Sequence, residues 1–202
     1  MIKNIVFDMG GVLIAFDNKL FVEREGIMDP GDQQNLLKEI FQCADWPLLD
    51  WGDIDEEELV RRVEPRVPER LRYAVHPLIC NWSEPLVPVP GMADLIREYK
   101  EKGYHIYLLS NVSRRFHAFW NKVPGHEYFD GIIVSADEGV VKPLPEIYHR
   151  LLDRYGLNAC ESVFIDDFPG NVAGAIHIGM HGILFRDDMD ELKRNLNKLL
   201  AE

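Results

Sequence analysis

The stretch IKNIVFDMGG, residues 2–11, combines an apolar run, an acidic residue and two glycines. The apolar part, residues 2–7, is rich in β-branched side chains and ends at a turn signal, which predicts a buried strand. Four similar runs follow along the chain, at residues 104–109, 131–134, 162–165 and 182–185. Such near-continuous apolar runs are typical of parallel strands that are covered on both faces.

Amphipathic helices are predicted between these strands. Apolar side chains recur at helical spacing in residues 92–102, 113–122, 145–155 and 170–179, and in a last helix near residues 189–199. The alternation of strand and helix predicts an α/β fold with a doubly wound, parallel, five-stranded Rossmann-like sheet.

The alternation is interrupted once, after the first strand. Residues 33–42 and 56–63 have helical patterns, and no convincing strand occurs around them. The stretch EPLVPVPG, residues 84–91, has the composition of an extended proline-rich linker. We therefore predict a helical cap domain, residues 15–89, inserted into a core domain formed by residues 1–14 and 90–202.

Composition limits the classes of partner. The 202 residues suffice for one domain with a smaller inserted unit. A net charge of −12 disfavours nucleic acid and anionic membranes as partners. We expect a small-molecule partner, and a monomer or a homodimer. Three cysteines without a CxxC pair, no signal-peptide pattern and no apolar run of about 20 residues predict a cytoplasmic protein without a membrane span.

Polar side chains follow the predicted strands at the points where ligands bind in open α/β sheets. Each of them alone has an ordinary interpretation as a turn residue, a helix cap or a surface lysine. Together they place carboxylates, a hydroxyl group and an amine at one edge of one sheet. These residues are Asp8, Ser110, Asn111, Lys142, Asp166 and Asp167.

This set of groups suits phosphoryl transfer. Asp8 can attack phosphorus to form an aspartyl-phosphate, and the ordinary pKa of an aspartate leaves it ionised at pH 7. Because the substrate is an anion, positive charge is required. Mg²⁺ could be held by Asp8 and one residue of the Asp166–Asp167 pair, and Lys142 adds a second cation.

Donors to the phosphoryl oxygens are also available. Ser110 and nearby backbone amides can donate hydrogen bonds to them. Gly10 and Gly11 allow the backbone to approach a ligand, because glycine has no Cβ.

The motifs that contain these residues resemble those of the haloacid dehalogenase superfamily. They are FDMGGVL (7–13), LLSN (108–111), GVVKPLPEIY (139–148) and FIDDFPGNVAGA (164–175), in the family order over residues 1–186. The stretch DWGDIDEEEL (50–59) resembles the cap of the sugar-phosphate phosphatase branch, which includes the phosphatase domain of soluble epoxide hydrolases. The resemblance implies a helical C1-type cap and a sheet with strands one and four adjacent at its centre.

The resemblance also implies roles for individual residues. It implies a Mg²⁺-dependent phosphatase acting on a small phosphorylated metabolite, with a sugar phosphate as one candidate. Asp8 would be the nucleophile and a metal ligand, and Lys142 would bridge Asp8 and the phosphate. Ser110 and Asn111 would bind the phosphate. Gly10, through its carbonyl oxygen, and Asp167 would bind Mg²⁺, while Asp166 would lie next to the metal ligands without contacting the metal.

The sequence departs from the family pattern at one position. Most phosphatases of this family carry a general acid two residues after the nucleophile, where this chain has Gly10. General acid–base help is worth on the order of 10²–10⁴-fold in rate. Asp17 is one candidate substitute; otherwise it is a hinge or substrate-contact residue of the cap. We therefore expect a preference for esters with good leaving groups.

Two other functions are compatible with parts of the pattern. A 2-haloacid dehalogenase uses the same aspartate nucleophile on carbon without a metal, but the acidic pair Asp166–Asp167 favours a metal enzyme. A catalytically weak protein that binds phosphometabolites would be compatible with Gly10, whereas Asp8, Lys142 and Asp167 favour an enzyme.

Overall fold

A computed structural model describes residues 1–201 and contains one parallel sheet. Its strand order is β3-β2-β1-β4-β5, so β1 and β4 lie side by side at the centre as the family resemblance implies. The predicted fold class, a doubly wound five-stranded α/β sheet, is confirmed. The strands are β1 Asn4–Phe7, β2 His105–Ser110, β3 Gly131–Val134, β4 Ser162–Asp166 and β5 His181–Leu184.

Helices cover both faces of the sheet and recur through the inserted segment. They are α1 Asn18–Arg24, α2 Pro30–Leu36, α3 Trp46–Trp51, α4 Glu56–Val63, α5 Val75–Cys80, α6 Met92–Glu101, α7 Phe116–Phe119, α8 Ser135–Glu138, α9 Pro145–Tyr155, α10 Pro169–His177 and α11 Met189–Leu200. Of these helices, which all lie within residues 1–201, none combines the length and apolar character needed to cross a bilayer.

Two predicted helices have different limits in the structure. The helix predicted at residues 33–42 begins at Pro30, because Asp29 caps it by accepting a hydrogen bond from Asp32 N, and it continues as a π-helix over Leu37–Phe41. The helix predicted at residues 113–122 is shorter. Only Phe116–Phe119 is α-helical, and a 3₁₀ turn follows at Trp120–Lys122.

The inserted segment leaves and re-enters the core at adjacent points. Ala15 N donates to Val87 O at 2.8 Å, and Val89 N donates to Leu13 O at 2.9 Å. The two connections therefore run side by side as an antiparallel pair. One continuous cluster of buried apolar side chains extends from one face of the sheet into helices α2, α4 and α5. The boundaries of cap and core stay a prediction.

Candidate active site

Register in the sheet positions Asp8 at the centre of the carboxyl edge. Phe7, the last residue of β1, pairs with Leu108 on one side and Ile165 on the other. Asp8 N then donates to Ile165 O at 2.9 Å, which fixes the aspartate between the ends of two strands. The side chain that follows a central strand is thus brought to the point where ligands bind in this class of sheet.

Lys142 joins two carboxylates beneath the site. Its Nζ lies 2.8 Å from Asp8 Oδ1 and 2.7 Å from Asp166 Oδ2, and only 3% of the residue is exposed. Burial lowers the pKa of Lys142, but the negative charges of Asp8 and Asp166 outweigh it and hold the pKa above its ordinary value. Lys142 is therefore a fixed positive charge next to the predicted nucleophile.

The ionisation of Asp8 depends on the positive charge around it. Burial raises the pKa of Asp8, the charge of Lys142 opposes that rise, and the charge of Asp166 adds to it. The sequence-based expectation of an ionised carboxylate rests on the ordinary pKa of aspartate, which does not apply in this environment. A cation placed beside Asp8 would favour the carboxylate that nucleophilic attack requires.

Asp166 and Asp167 have different surroundings. Asp166 has no exposed surface, and it accepts hydrogen bonds from Lys142 Nζ, from Asn171 Nδ2 at 3.1 Å and from Phe168 N at 2.8 Å. Asp167, in contrast, is exposed at the cleft. Loss of part of the water around its carboxylate and the charge of Asp166 raise its pKa. The carboxylate of Asp167 is thus the one available to a ligand, while Asp166 orients Lys142 and Asn171.

The residues at this edge fit a divalent cation. Carboxylate oxygens of Asp8, Asp166 and Asp167 lie within 4.8 Å of one another. Asp8 Oδ1 is buried, and its charged contact within residues 1–201 is Lys142 Nζ at 2.8 Å. Carboxylate oxygens are the ligands that Mg²⁺ prefers, so this cluster fits the cation.

Gly10 offers a further oxygen ligand. In the turn after β1, the carbonyl of Met9 accepts hydrogen bonds from the amides of residues 12–14, whereas the carbonyl of Gly10 accepts none from the described chain. Gly10 also lines the same cavity as Asp8 and Asp167. Its free carbonyl is consistent with the predicted role in metal binding.

Gly11 is required for a close approach between two parts of the site. Its φ of +72° lies in the left-handed region, and a Cβ at this position would lie 2.2 Å from Asp167 Oδ2. The role expected for Gly11 was an approach of the backbone to phosphate. In the structure, Gly11 makes room for the Asp167 carboxylate, and its approach to phosphate stays a prediction.

Ser110 and Asn111, predicted to bind phosphate, differ in their surroundings. Ser110 ends β2, is 1% exposed and does not line the cavity. Asn111 lines the cavity, but its side chain accepts a hydrogen bond from Lys142 N at 2.8 Å and donates one to Lys142 O at 3.0 Å. These two bonds hold the backbone of Lys142, which keeps the amine between its two carboxylates.

A cavity of about 200 Å³ opens above Asp8 and Asp167, between the sheet edge and the inserted segment. Its wall is largely apolar. These wall residues could not be assigned to a cavity from the sequence, because the register of the cap against the core is not encoded in the motifs. The wall residues from the inserted segment and its entry are Phe16, Trp46, Leu49, Asp50 and Trp82.

Neither Gly10 nor Asp17 supplies an acid to the cavity. The carboxylate of Asp17 is exposed and caps α1, since it accepts hydrogen bonds from Lys19 N at 2.9 Å and Leu20 N at 3.1 Å. Gly10 has room for a side chain, because a Cβ there would lie 3.6 Å from Phe16 Cβ, an ordinary contact distance. Neither position therefore places a carboxyl group in the cavity.

The parallel sheet and the acid–lysine cluster at its carboxyl edge define an α/β enzyme suited to reactions of anionic substrates. Residues 2–179 match the family model described as haloacid dehalogenase-like hydrolase. The chain belongs to this family, which confirms the resemblance stated from the motifs.

Curated relatives cover nearly the whole chain. A sesquiterpene phosphatase of Aspergillus oryzae is 28% identical over 188 residues, which are 93% of this chain and 91% of that protein. A D-ribitol-5-phosphate phosphatase of Bacteroides thetaiotaomicron is 27% identical over 191 residues, 89% of this chain and 87% of that protein. The predicted enzyme class, a phosphoric monoester hydrolase, is confirmed.

Solved structures agree on the fold. A HAD family enzyme of Bacteroides thetaiotaomicron, determined in complex with magnesium and inorganic phosphate, superposes with a TM-score of 0.72. It covers 95% of this chain and 99% of its own at 23% identity, a similarity that supports the fold alone.

Proposed function

We propose that this protein is a Mg²⁺-dependent phosphatase that hydrolyses a small phosphorylated metabolite through an aspartyl-phosphate on Asp8. The observation that carries the proposal is the position of Asp8. Its carboxylate forms an ion pair with a buried lysine at 2.8 Å, has oxygens of Asp166 and Asp167 within 4.8 Å, and lines a cavity of about 200 Å³.

Each residue of the site has a separate role in the proposed reaction. Asp8 attacks phosphorus, and the alcohol of the substrate leaves. Lys142 holds Asp8 in position and balances the charge of the phosphoryl group. Asp8, Gly10 and Asp167 would hold Mg²⁺, which when bound neutralises phosphoryl oxygens. Water then hydrolyses the aspartyl-phosphate to release inorganic phosphate and free Asp8.

The cavity suggests what the alcohol portion of the substrate looks like. The rings of Phe16, Trp46 and Trp82 form much of its wall, with T-shaped and tilted contacts among them. Aromatic rings can pack against the apolar face of a sugar or polyol and against a terpenoid chain. A sugar phosphate remains one candidate substrate, and a phosphorylated apolar alcohol is the second that this wall favours.

A phosphatase screen tests the proposal. Phosphate release is measured from polyol phosphates, sugar phosphates, nucleotides and prenyl phosphates, with Mg²⁺ or with EDTA. We expect turnover that requires Mg²⁺ and is abolished in Asp8→Asn, a variant that keeps the shape of the side chain. Folding of the variant is checked by circular dichroism.

Two outcomes would contradict the proposal. No phosphate release from any compound would favour a protein that binds phosphometabolites without turning them over. Halide release from 2-haloacids that survives EDTA would favour the dehalogenase alternative. The acidic pair Asp166–Asp167 at the site supports the metal-dependent reaction over that alternative.

The cellular location, the oligomeric state and the partners of the protein also stay predictions. We expect a cytoplasmic enzyme that is a monomer or a homodimer. We also expect neither nucleic acid nor membrane among its partners, because its net charge is −12.

A further inference from the structure

Asp50 is the third aspartate that lines the cavity. Asp8 and Asp167 serve the nucleophilic and metal-binding roles proposed above, which leaves Asp50 as the other carboxyl group of the cavity wall within residues 1–201. It comes from α3 in the inserted segment, so it faces the sheet edge from the opposite wall. In the proposed reaction the departing alcohol occupies this side of the cavity.

The position of Asp50 is fixed by contacts between the inserted segment and the core. Its own carbonyl accepts a hydrogen bond from Ser135 Oγ at 2.6 Å, and the carbonyl of Gly52 accepts one from Arg114 Nη1 at 3.0 Å. Gly52 ends α3 with a φ of +76°, and a Cβ there would lie 2.3 Å from Ala136 O. This close approach leaves α3 little freedom to move relative to the sheet edge.

The carboxyl group of Asp50 has no other assigned task. It takes part in no side-chain hydrogen bond and no ion pair in the described part of the chain, although it is half-buried. A half-buried carboxyl group without a partner is unfavourable for stability, so its presence in a cavity that also contains the nucleophile suggests a role in the reaction.

The electrostatics of the wall suit proton transfer near neutral pH. Burial raises the pKa of Asp50 to about 7, against the lowering effect of Lys142. Across the cavity lie Asp8 and Asp167. The charged groups of α8 and α4, which pack against α3, already have partners of their own, as in Asp137–Arg114, Asp137–His117, Glu138–Arg154, Glu58–Arg62 and Glu56–Ser113.

We propose that Asp50 is the general acid of this enzyme and supplies from the inserted segment the proton that position 10 cannot provide. The inference rests on the proposed phosphatase function. As Asp8 Oδ forms its bond to phosphorus, the bond from phosphorus to the ester oxygen breaks, and the proton of Asp50 passes to that oxygen. The alcohol leaves neutral and Asp50 remains as a carboxylate.

The same group completes the second half of the reaction. The Asp50 carboxylate takes a proton from the attacking water as the water oxygen bonds to phosphorus. The bond from phosphorus to Asp8 breaks, which returns Asp8 as a carboxylate and Asp50 as a carboxylic acid, with inorganic phosphate as product. With such an acid present, the preference for good leaving groups expected from Gly10 is no longer necessary.

Leaving groups of different acidity test the role of Asp50. Values of kcat/KM are measured for p-nitrophenyl phosphate, phenyl phosphate and an alkyl phosphate, because kcat/KM reports on the step in which the alcohol leaves. For Asp50→Asn we expect kcat/KM to fall by about 100-fold or more with the alkyl ester. With the p-nitrophenyl ester it should fall by less than about threefold, because p-nitrophenolate leaves without a proton. Asp53→Asn, an exposed acid three residues away, is the matched control and should behave as wild type.

Two further variants separate this role from a structural one. Asp50→Glu should recover part of the alkyl-ester activity, because it keeps the acid. Gly10→Asp combined with Asp50→Asn should do so as well, because position 10 has room for the new side chain.

The results that would overturn the proposal are distinct. An equal loss with all three esters in Asp50→Asn would mean that Asp50 only supports the structure of the wall. Unchanged activity in Asp50→Asn would remove it from the reaction. Failure of the phosphatase function itself would instead appear as absent turnover in wild type, or as turnover that persists in Asp8→Asn.

Discussion

Replacing Asp50 by asparagine should make the folded protein more stable at alkaline pH, even though it lowers activity. Burial raises the pKa of Asp50 from 3.8 to about 7 in the folded chain, partly offset by Lys142. In the unfolded chain the pKa is close to the ordinary aspartate value. As pH rises from about 4 to about 7, the unfolded chain loses a proton that the folded chain retains, so stability falls over this interval and levels off above it.

The size of this effect follows from the two pKa values. The full rise corresponds to about 4 kcal/mol, at about 1.36 kcal/mol per pKa unit. Roughly 1.5 kcal/mol of this destabilisation is already present at pH 5, so about 2.5 kcal/mol is added between pH 5 and pH 8. Because Asp50 is half-buried and its cavity admits water, we expect the asparagine variant to gain about 1–2.5 kcal/mol on wild type over this range.

Urea unfolding of both proteins at pH 5 and pH 8 measures the difference. Asp8, whose pKa burial also raises, is present in both proteins and cancels in the comparison. A stability difference between the two proteins that is the same at both pH values would refute the reasoning, since it would mean that Asp50 has an ordinary pKa in the folded state. The activity test of Asp50 is independent of this result.

Three other changes have defined outcomes. Lys142→Gln leaves Asp8 and Asp166 buried without their shared cation. The free energy of unfolding measured in urea should therefore fall by about 3–5 kcal/mol, and phosphate release should cease. A variant as stable as wild type would contradict the structure. Gly11→Ala forces a Cβ against Asp167 at a left-handed φ, so stability should fall by about 1–2 kcal/mol and the Mg²⁺ concentration for half-maximal rate should rise. Removal of Mg²⁺ by EDTA should lower the melting temperature of wild type but not of Asp167→Asn, because a ligand that binds only the folded state stabilises it.

The sheet and its site edge could be predicted because their signals are local. Each strand is a short buried run, and the polar residue after it is fixed by where the run ends, as Asp8 is by Phe7 and Asp166 by Ile165. The separate tasks of Asp166 and Asp167 were available only from the family resemblance. In the structure the two residues differ in burial, since Asp166 is buried and Asp167 is exposed at the cleft, which agrees with those predicted tasks.

The cavity wall and the hydrogen bonds between Asn111 and Lys142 could not be predicted in the same way. Asn111 holds Lys142 through a pair of hydrogen bonds that span 31 residues, and the sequence contains no sign of this pairing. Asp50 belongs to a motif recognised in the inserted segment, but its place above Asp8 depends on how Gly52 and Ser135 dock α3 on the core. Tertiary contacts of this kind leave no periodic pattern in the chain.

The paired connections at residues 13–15 and 87–89 bear on how such enzymes diversify. Because the inserted segment departs and returns through neighbouring hydrogen-bonded residues, its length and sequence can change without shifting the register of β1 against β2. Evolution can therefore exchange the wall that contacts the alcohol while the phosphate-handling edge is inherited unaltered. If the proton donor sits on that exchangeable wall, a change of substrate and a change of acid can occur in a single replacement.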